Sequence, residues 1–264
     1  MNIRKLDTFY LKIIAMITMV IDHVGFLLLP SLPILRIIGR ISFPIFAFLA
    51  AESMQYGSNK KRYICTLFIL DIIMALVAYI AKGVYFDTIF ITLGLASLTI
   101  YLLQDKKIYI KLLAIFPLFI AYLGSTNLVP FRVQYGLYGV LLPVLFYLIR
   151  MFIEKYMLNK CNSLNLDFDS YKNSSEFYRL YNIGCAILVL GVSLIVYYGN
   201  SFFSTYLPNN GLNYIIQSNA ILAIPFILLY SGKLGFSNKA FKISCYLFYP
   251  IHIILIYGIY ILFF

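Results

Sequence analysis

Residues 8–29 read TFYLKIIAMITMVIDHVGFLLL, an apolar run interrupted only by Lys12, Asp22 and His23. At about 1.5 Å of rise per residue, a helix of that length matches the ~30 Å hydrocarbon core of a bilayer. The run lacks period-two alternation, which argues for a helix over a barrel strand. Arg4 and Lys5 precede it as they would a signal peptide. Asp22 and His23 break the apolar region, however, and no small-x-small cleavage site follows, so it is read as a retained first span. Working outward, eight further stretches qualify: 33–55, 63–82, 87–104, 108–124, 134–152, 178–199, 212–231 and 240–263. The expected fold is therefore all-α, a polytopic integral membrane helical bundle of about nine transmembrane helices. No internal repeat or low-complexity tract divides it. One transmembrane domain is expected over 1–264, with an Asn-, Ser- and Asp-rich cytoplasmic connector at about 153–177.

Composition agrees. Of 264 residues, 62% are hydrophobic and 12% charged, and the mean hydropathy is +0.88. A soluble domain lies nearer ~45–50% and ~25%. That excludes a secreted enzyme, a cytosolic dehydrogenase and a nucleic-acid module, despite the net charge of +11. Cys65, Cys161, Cys185 and Cys245 stand apart from one another with no His at ligand spacing, so neither a disulfide framework nor a metal site is expected.

The cations orient the chain. With the N-terminus cytoplasmic, the inner flanks hold Arg4, Lys5, Lys12, Lys60, Lys61, Arg62, Lys106, Lys107 and Lys111. The 150–179 region adds Arg150, Lys155, Lys160, Lys172 and Arg179, and the last inner loop Lys233, Lys239 and Lys242. Those are 17 of the 21 Lys and Arg residues, so the positive-inside rule favours N-in/C-out.

Ionisable side chains inside a span are costly and mark pathways or reaction centres. Here they are Asp22, His23, Arg36, Arg40, Glu52, Asp71 and His252. His23, Arg36 and Arg40 fall in the outer halves of their spans, and Arg36 and Arg40 share a face at i, i+4. Arg132 and Tyr135 lie at the outer end of the sixth span. Each has a plainer role: Asp22 neutralising an arginine, Arg132 reaching headgroups, Asp87 capping the fourth helix, Glu52 pairing with Lys60 to Arg62. Asp71 needs a partner, and His252 suits packing as well as function. His23 has the strongest chemical case, as a neutral imidazole is the usual proton acceptor for an amine or hydroxyl nucleophile. Asp22 cannot orient it, because successive helix residues point about 100° apart, so any orienting carboxylate must come from another helix. Lys12, eleven residues earlier, lies on the same face about 16 Å away. That stripe suits a long anionic donor threading inward, such as acyl-CoA. Pro44 removes the N–H that Arg40's carbonyl would accept, predicting a kink in the second span. Pro250 does the same for Tyr246, and Gly39 permits close helix approach.

Three stretches together resemble the TraX family of membrane acetyltransferases: LKIIAMITMVIDHVG at 11–25, RIIGRISFPIFAFLAAE at 36–52 and YLFYPIHIILIY at 246–257. Gln134-Tyr135-Gly136 looks like the family's DYG with Gln in place of Asp. The resemblance implies acetyl transfer from acetyl-CoA, the family being named for acetylation of the N-terminal amine of pilin. Many of the wider set of multi-spanning acyltransferases, which the chain also resembles, carry a basic residue ten intervening positions before an essential His in their first span, a pattern that Lys12 and His23 match with Lys where Arg is common. The expectation is an acetyl-CoA-dependent O/N-acetyltransferase of the bacterial plasma membrane. His23 and Asp22 serve catalysis, Lys12 and Arg40 meet the acetyl-CoA donor, and Arg36, Glu52, Tyr135 and His252 meet a peptide or glycan acceptor. No metal and no nucleic acid are expected. Direct transfer and an acetyl-His intermediate both remain open. The rival reading is a transporter or flippase of an anionic amphiphile, and a third is a structural membrane subunit.

Overall fold

The computed structural model describes residues 5–82, 88–126, 128–129, 131–164, 167–172, 174–206 and 214–263. Among these the regular structure is helical, with one isolated parallel bridge between Leu6 and Tyr230. The helices are α1 (Thr8–Leu27), α2 (Pro33–Gly39), α3 (Ser42–Tyr56), α4 (Lys60–Lys82) and α5 (Ile89–Leu103). Then come α6 (Ile108–Leu112), α7 (Ile115–Leu123), α8 (Gly136–Leu164), α9 (Phe168–Lys172) and α10 (Ser175–Tyr198). The chain ends with α11 (Asn200–Tyr206), α12 (Tyr214–Gln217), a 3₁₀ segment Ser218–Ala223, α13 (Ile224–Leu228) and α14 (Lys239–Phe263).

Six helical stretches are long and apolar enough to cross a bilayer: Thr8–Leu27, Pro33–Tyr56, Lys60–Tyr79, Gly136–Leu164, Ser175–Tyr198 and Lys239–Phe263. Three shorter apolar stretches, Ile89–Leu103, Ile108–Leu123 and Ile215–Leu228, accompany them. Each of the nine apolar segments read from the sequence falls on one of these. Side chains such as Ile69, Ile72 and Leu76 on α4, or Ile254 and Leu255 on α14, are more than half exposed. Such a continuous apolar exterior has lipid as its solvent. The protein is a multi-pass membrane protein.

The chain forms two compact units. The first comprises Met1–Phe46, Ile149–Tyr197 and Ile215–Phe264. Here α1, capped by the Asp7 carboxylate accepting from Tyr10 N–H at 3.0 Å, packs antiparallel to α2 and parallel to α14. The parallel register follows from two contacts: Lys12 over the Phe241 ring and His23 against His252. The start of α1 is stitched to the segment after α13, with Leu6 N–H donating to Leu229 O at 3.1 Å and Ser231 N–H to Leu6 O at 2.8 Å. Asn182, buried on α10, donates to Tyr230 O at 2.7 Å, which satisfies carbonyls that the end of α13 leaves open.

Arg150, counted above among inner-flank cations, is 1% exposed. Its guanidinium lies over the rings of Phe177, Tyr178 and Tyr181 at 4.9, 5.7 and 5.2 Å. Its Nε donates to Glu154 at 3.1 Å. An i, i+4 carboxylate and three ring faces from α10 stand in for the water it lost. The connector expected at 153–177 is mostly helical: α8 runs on to Leu164, α9 follows, and α10 begins at Ser175. Ion pairs Lys160–Glu176 at 2.9 Å and Lys172–Glu154 at 3.7 Å tie these turns together.

The second unit comprises Ala47–Leu148 and Tyr198–Tyr214. Its core gathers Leu95, Ala96, Ala121, Val133 and Val140. Asp71 finds its partner in Thr88, whose hydroxyl donates to it at 2.6 Å and accepts from Phe90 N–H at 3.1 Å. Thr88 is thus the cap of α5. Asp87, read as that cap, lies outside the described residues. Lys60 donates to Gln104 at 2.6 Å, and Gln104 to Met54 O at 3.0 Å.

Candidate functional site

The site grows from the seam between α1 and α2. A Cβ on Gly25 would stand 2.6 Å from that of Leu35, and one on Gly39 would collide with the Asp22 side chain. Both glycines are therefore needed for the two helices to approach this closely. At Arg40 and Ile41 the second span is interrupted. The N–H groups of Arg40 and Ile41 bond three residues back, each at 3.2 Å, before α3 resumes at Ser42. This break stands four residues ahead of Pro44, where the sequence places the missing donor.

Asp22 is 6% exposed and holds two guanidinium groups. Its Oδ2 accepts from Arg36 at 2.6 Å and its Oδ1 from Arg40. Arg40 is itself buried; its Nε donates to Arg36 O at 3.3 Å and its second nitrogen to Gln217 Oε1 at 3.1 Å. Arg36 stacks over the Phe26 ring at 4.8 Å. Both oxygens of Asp22 are thus engaged by arginines, the ion-pair role weighed above, and the cluster is a buried, charge-assisted network.

His23 sits on a different face of α1, partly buried. Its Nδ1 is 2.9 Å from Met19 O and 3.0 Å from Nε2 of His252, which is buried on α14. His252 in turn has its Nδ1 2.7 Å from Phe248 O. Tyr249 lies edge-on to both rings, at 6.2 and 5.5 Å between centroids. The ring partner expected as a carboxylate from another helix is an imidazole. Lys12, on the same face of α1, has its ammonium 5.8 Å from the Phe241 centroid.

Asp22, His23, Arg36, Arg40, Lys12 and His252 therefore belong to one unit, Asp22 and the arginines at the contact of α1 with α2, and Lys12, His23 and His252 at its contact with α14. Glu52 and Tyr135 belong to the other unit. Glu52 is buried on α3. Tyr135 has φ of 62° and is followed by Gly136 at 52°, so two successive left-handed residues lead into α8. That conformation is unfavourable for a Cβ-bearing, bulky residue and concentrates at functional sites. Thr92 fastens it by donating to Gln134 O at 2.5 Å. Arg132 is exposed, in keeping with a side chain reaching headgroups.

Sequence reasoning missed Gln217. Its signal was an amide in an otherwise apolar stretch, since a buried carboxamide needs a partner. It missed Tyr249 and the ring cage of Arg150, which carry no signal beyond ordinary aromatic usage.

A family model described as TraX protein matches residues 8–166, more than half of the chain. The match covers His23, Arg36, Arg40, Glu52 and Tyr135, and ends before Gln217 and His252. The uncharacterized protein RP591 of Rickettsia prowazekii (strain Madrid E) is 48% identical over 62 residues, 24% of this chain and 25% of that protein. The probable fimbrial assembly protein FimC, serogroup H1, of Dichelobacter nodosus is 24% identical over 272 residues, 96% of each chain. The chain thus spans a quarter of the first relative and nearly all of the second. No solved structure matches it.

Proposed function

The chain belongs to the TraX family, and on that premise we propose that it is a membrane-embedded acetyltransferase, moving an acetyl group from acetyl-CoA to an amine or hydroxyl acceptor. The observation that carries this is α1 itself, which sets a partly buried imidazole, His23, on one face and a two-arginine clamp on the neighbouring Asp22 on another. Chemically, the neutral imidazole takes the proton of the acceptor N–H or O–H as the acceptor's lone pair attacks the thioester carbon. The carbonyl oxygen gains the displaced electron pair, and guanidinium charge in a poorly solvated seam favours that oxyanion. When the carbon–sulfur bond breaks, the thiolate leaves with the pair. It recovers the proton from the imidazolium, so free CoA departs and His23 ends as it began. Asp22 holds the arginines in register and neutralises part of their charge. On this reading Lys12, about three turns away on the same face of α1, meets the donor phosphates.

The fimbrial name of the Dichelobacter relative, which matches along 96% of this chain, supports a peptide amine of the pilin kind as acceptor. A cell-surface glycan hydroxyl fits the same chemistry. The working location is the bacterial plasma membrane, with acetyl-CoA arriving from the cytoplasm. The test is purified, detergent-solubilised protein incubated with radiolabelled acetyl-CoA and a pilin-like peptide, wild type beside His23→Ala. Label transfer by the wild type that vanishes in the variant is expected. A fully active variant removes His23 from the chemistry. Wild-type protein that neither binds nor consumes acetyl-CoA overturns the reading in favour of transport.

A further inference from the structure

Three contacts at the histidine pair fix where its hydrogens lie. Met19 O is 2.9 Å from His23 Nδ1, Phe248 O is 2.7 Å from His252 Nδ1, and His252 Nε2 is 3.0 Å from His23 Nδ1. A carbonyl oxygen only accepts, so both Nδ1 atoms carry hydrogen. Neutral His252 then presents a bare Nε2, the acceptor that the His23 Nδ1–H shares with Met19 O. With both rings neutral, no other assignment satisfies all three contacts. An Nε2–H tautomer on either ring sets a lone pair against a carbonyl. A doubly protonated His252 leaves His23 Nδ1 bare in front of Met19 O. The surviving arrangement leaves the Nε2 of His23 unprotonated, and it makes no hydrogen bond among the described residues.

We propose that His252 is a positioning residue: its Nε2 accepts from His23 Nδ1–H and so keeps His23 in the tautomer whose Nε2 takes the acceptor's proton. This rests on the reading of His23 as the base. During turnover the proton gained and lost is the one on Nε2, while Nδ1–H stays in place and His252 changes neither charge nor tautomer. The role parallels that of the carboxylate in a hydrolase triad, which orients an imidazole without itself becoming protonated. It is played here by a neutral ring from the last helix. That ring is held firmly: Phe248 stacks on it at 5.0 Å with 22° between planes, and Tyr249 packs edge-on. Because α14 runs parallel to α1, the same register that seats Phe241 at Lys12 seats His252 at His23.

The chain has only two histidines, so 15N-histidine-labelled protein in nanodiscs gives just two imidazole patterns, assigned with His252→Gln. Both rings are expected in the Nδ1–H form; a His23 in the Nε2–H form overturns the proposal. In acetyl transfer, His252→Ala and His252→Phe are expected to lower kcat about 10- to 100-fold, the usual loss when an orienting partner is removed. KM for acetyl-CoA should move less than about threefold. His252→Gln, whose Oε1 reaches the position of Nε2, should restore most of kcat and the His23 pattern. The Phe variant keeps ring volume, so it decides the matter if the Ala variant does not fold. Wild-type kcat in the Ala and Phe variants, or an unchanged His23 pattern in them, overturns the role of His252 alone. If instead His23→Ala is fully active, the base reading fails, and the 15N patterns by themselves decide whether His252 sets the tautomer.

Discussion

Replacing Asp22 with Asn changes the site by one charge and almost no volume. In the native seam the carboxylate divides its two oxygens between Arg36, at 2.6 Å, and Arg40. An asparagine has one acceptor oxygen and turns a donor toward the other guanidinium, so one arginine faces a like dipole with little water to replace its partner. Each hydrogen bond to a charged group contributes about 1.5–3 kcal/mol. Breaking a buried ion pair by removing one partner costs about 3–5 kcal/mol. The two estimates meet at about 3 kcal/mol, and because the pair is buried about 3–5 kcal/mol is expected. At about 2–4 °C per kcal/mol for a chain near this size, the Tm should fall by roughly 6–20 °C. The chain has no Trp, but Cys161 and Cys185 are buried, so a thiol-reactive fluorophore reports unfolding in detergent. Arg40→Gln should cost more than Arg36→Gln, because its side chain is 6% exposed against 20%. Adding Arg40→Gln to Asp22→Asn should recover part of the loss, since the uncompensated charge leaves with it. A shift under about 2 °C for Asp22→Asn would refute the reasoning, for the carboxylate would then contribute no more than an exposed pair.

Gly39→Ala drives a methyl into Asp22, so it should destabilise by about 1–3 kcal/mol, as overpacking does, and lower acetyl transfer by displacing both arginines. Thiol melts beside turnover of the radiolabelled donor check it. Gly136→Ala places a Cβ on a residue with φ of 52° and should cost about 1–2 kcal/mol in the same melt.

What the sequence made legible was whatever follows from local physics. Apolar length located each of the long and shorter apolar helical stretches, and Pro44 located the break at Arg40 and Ile41. Gly39 announced a close approach, though not that Asp22 was the neighbour. The pairing of Asp22 with Arg36 and Arg40 was legible because a carboxylate and two guanidinium groups cannot be left in hydrocarbon unpartnered. His252 was harder: nothing in a linear pattern joins positions 23 and 252 on two helices at opposite ends of the chain. Gln217 and the cage around Arg150 were hidden for the same reason. Arg150 was also masked by a counting rule, since a tally of cations treats a caged guanidinium and a solvated one alike. The connector at 153–177 misled by composition. Asn, Ser and Asp signal a loop, but Glu154 and Glu176 each find a lysine across a turn and the helices persist.

The parallel packing of α1 and α14 constrains topology more tightly than hydropathy does. Lys12 meets Phe241 and His23 meets His252; the two pairs are offset by the same eleven positions on each helix, so the helices run the same way. Two spans that cross a bilayer in the same direction are separated by an odd number of crossings, making the total odd. The six long apolar helices alone make an even total and would set α1 against α14 antiparallel, carrying His252 away from His23. Among the described residues, that register in a bilayer requires one or all three of the shorter apolar stretches to cross as well. Short crossings are tolerated where neighbouring helices or cavity water satisfy the backbone. The stretch Ile215–Leu228, broken by a 3₁₀ segment after Gln217, is of that kind, and Gln217 there reaches Arg40. Fusing a reporter to the C-terminus reads the parity directly: the end of α14 is expected on the opposite side from the start of α1, and the same side would be incompatible with the histidine pair.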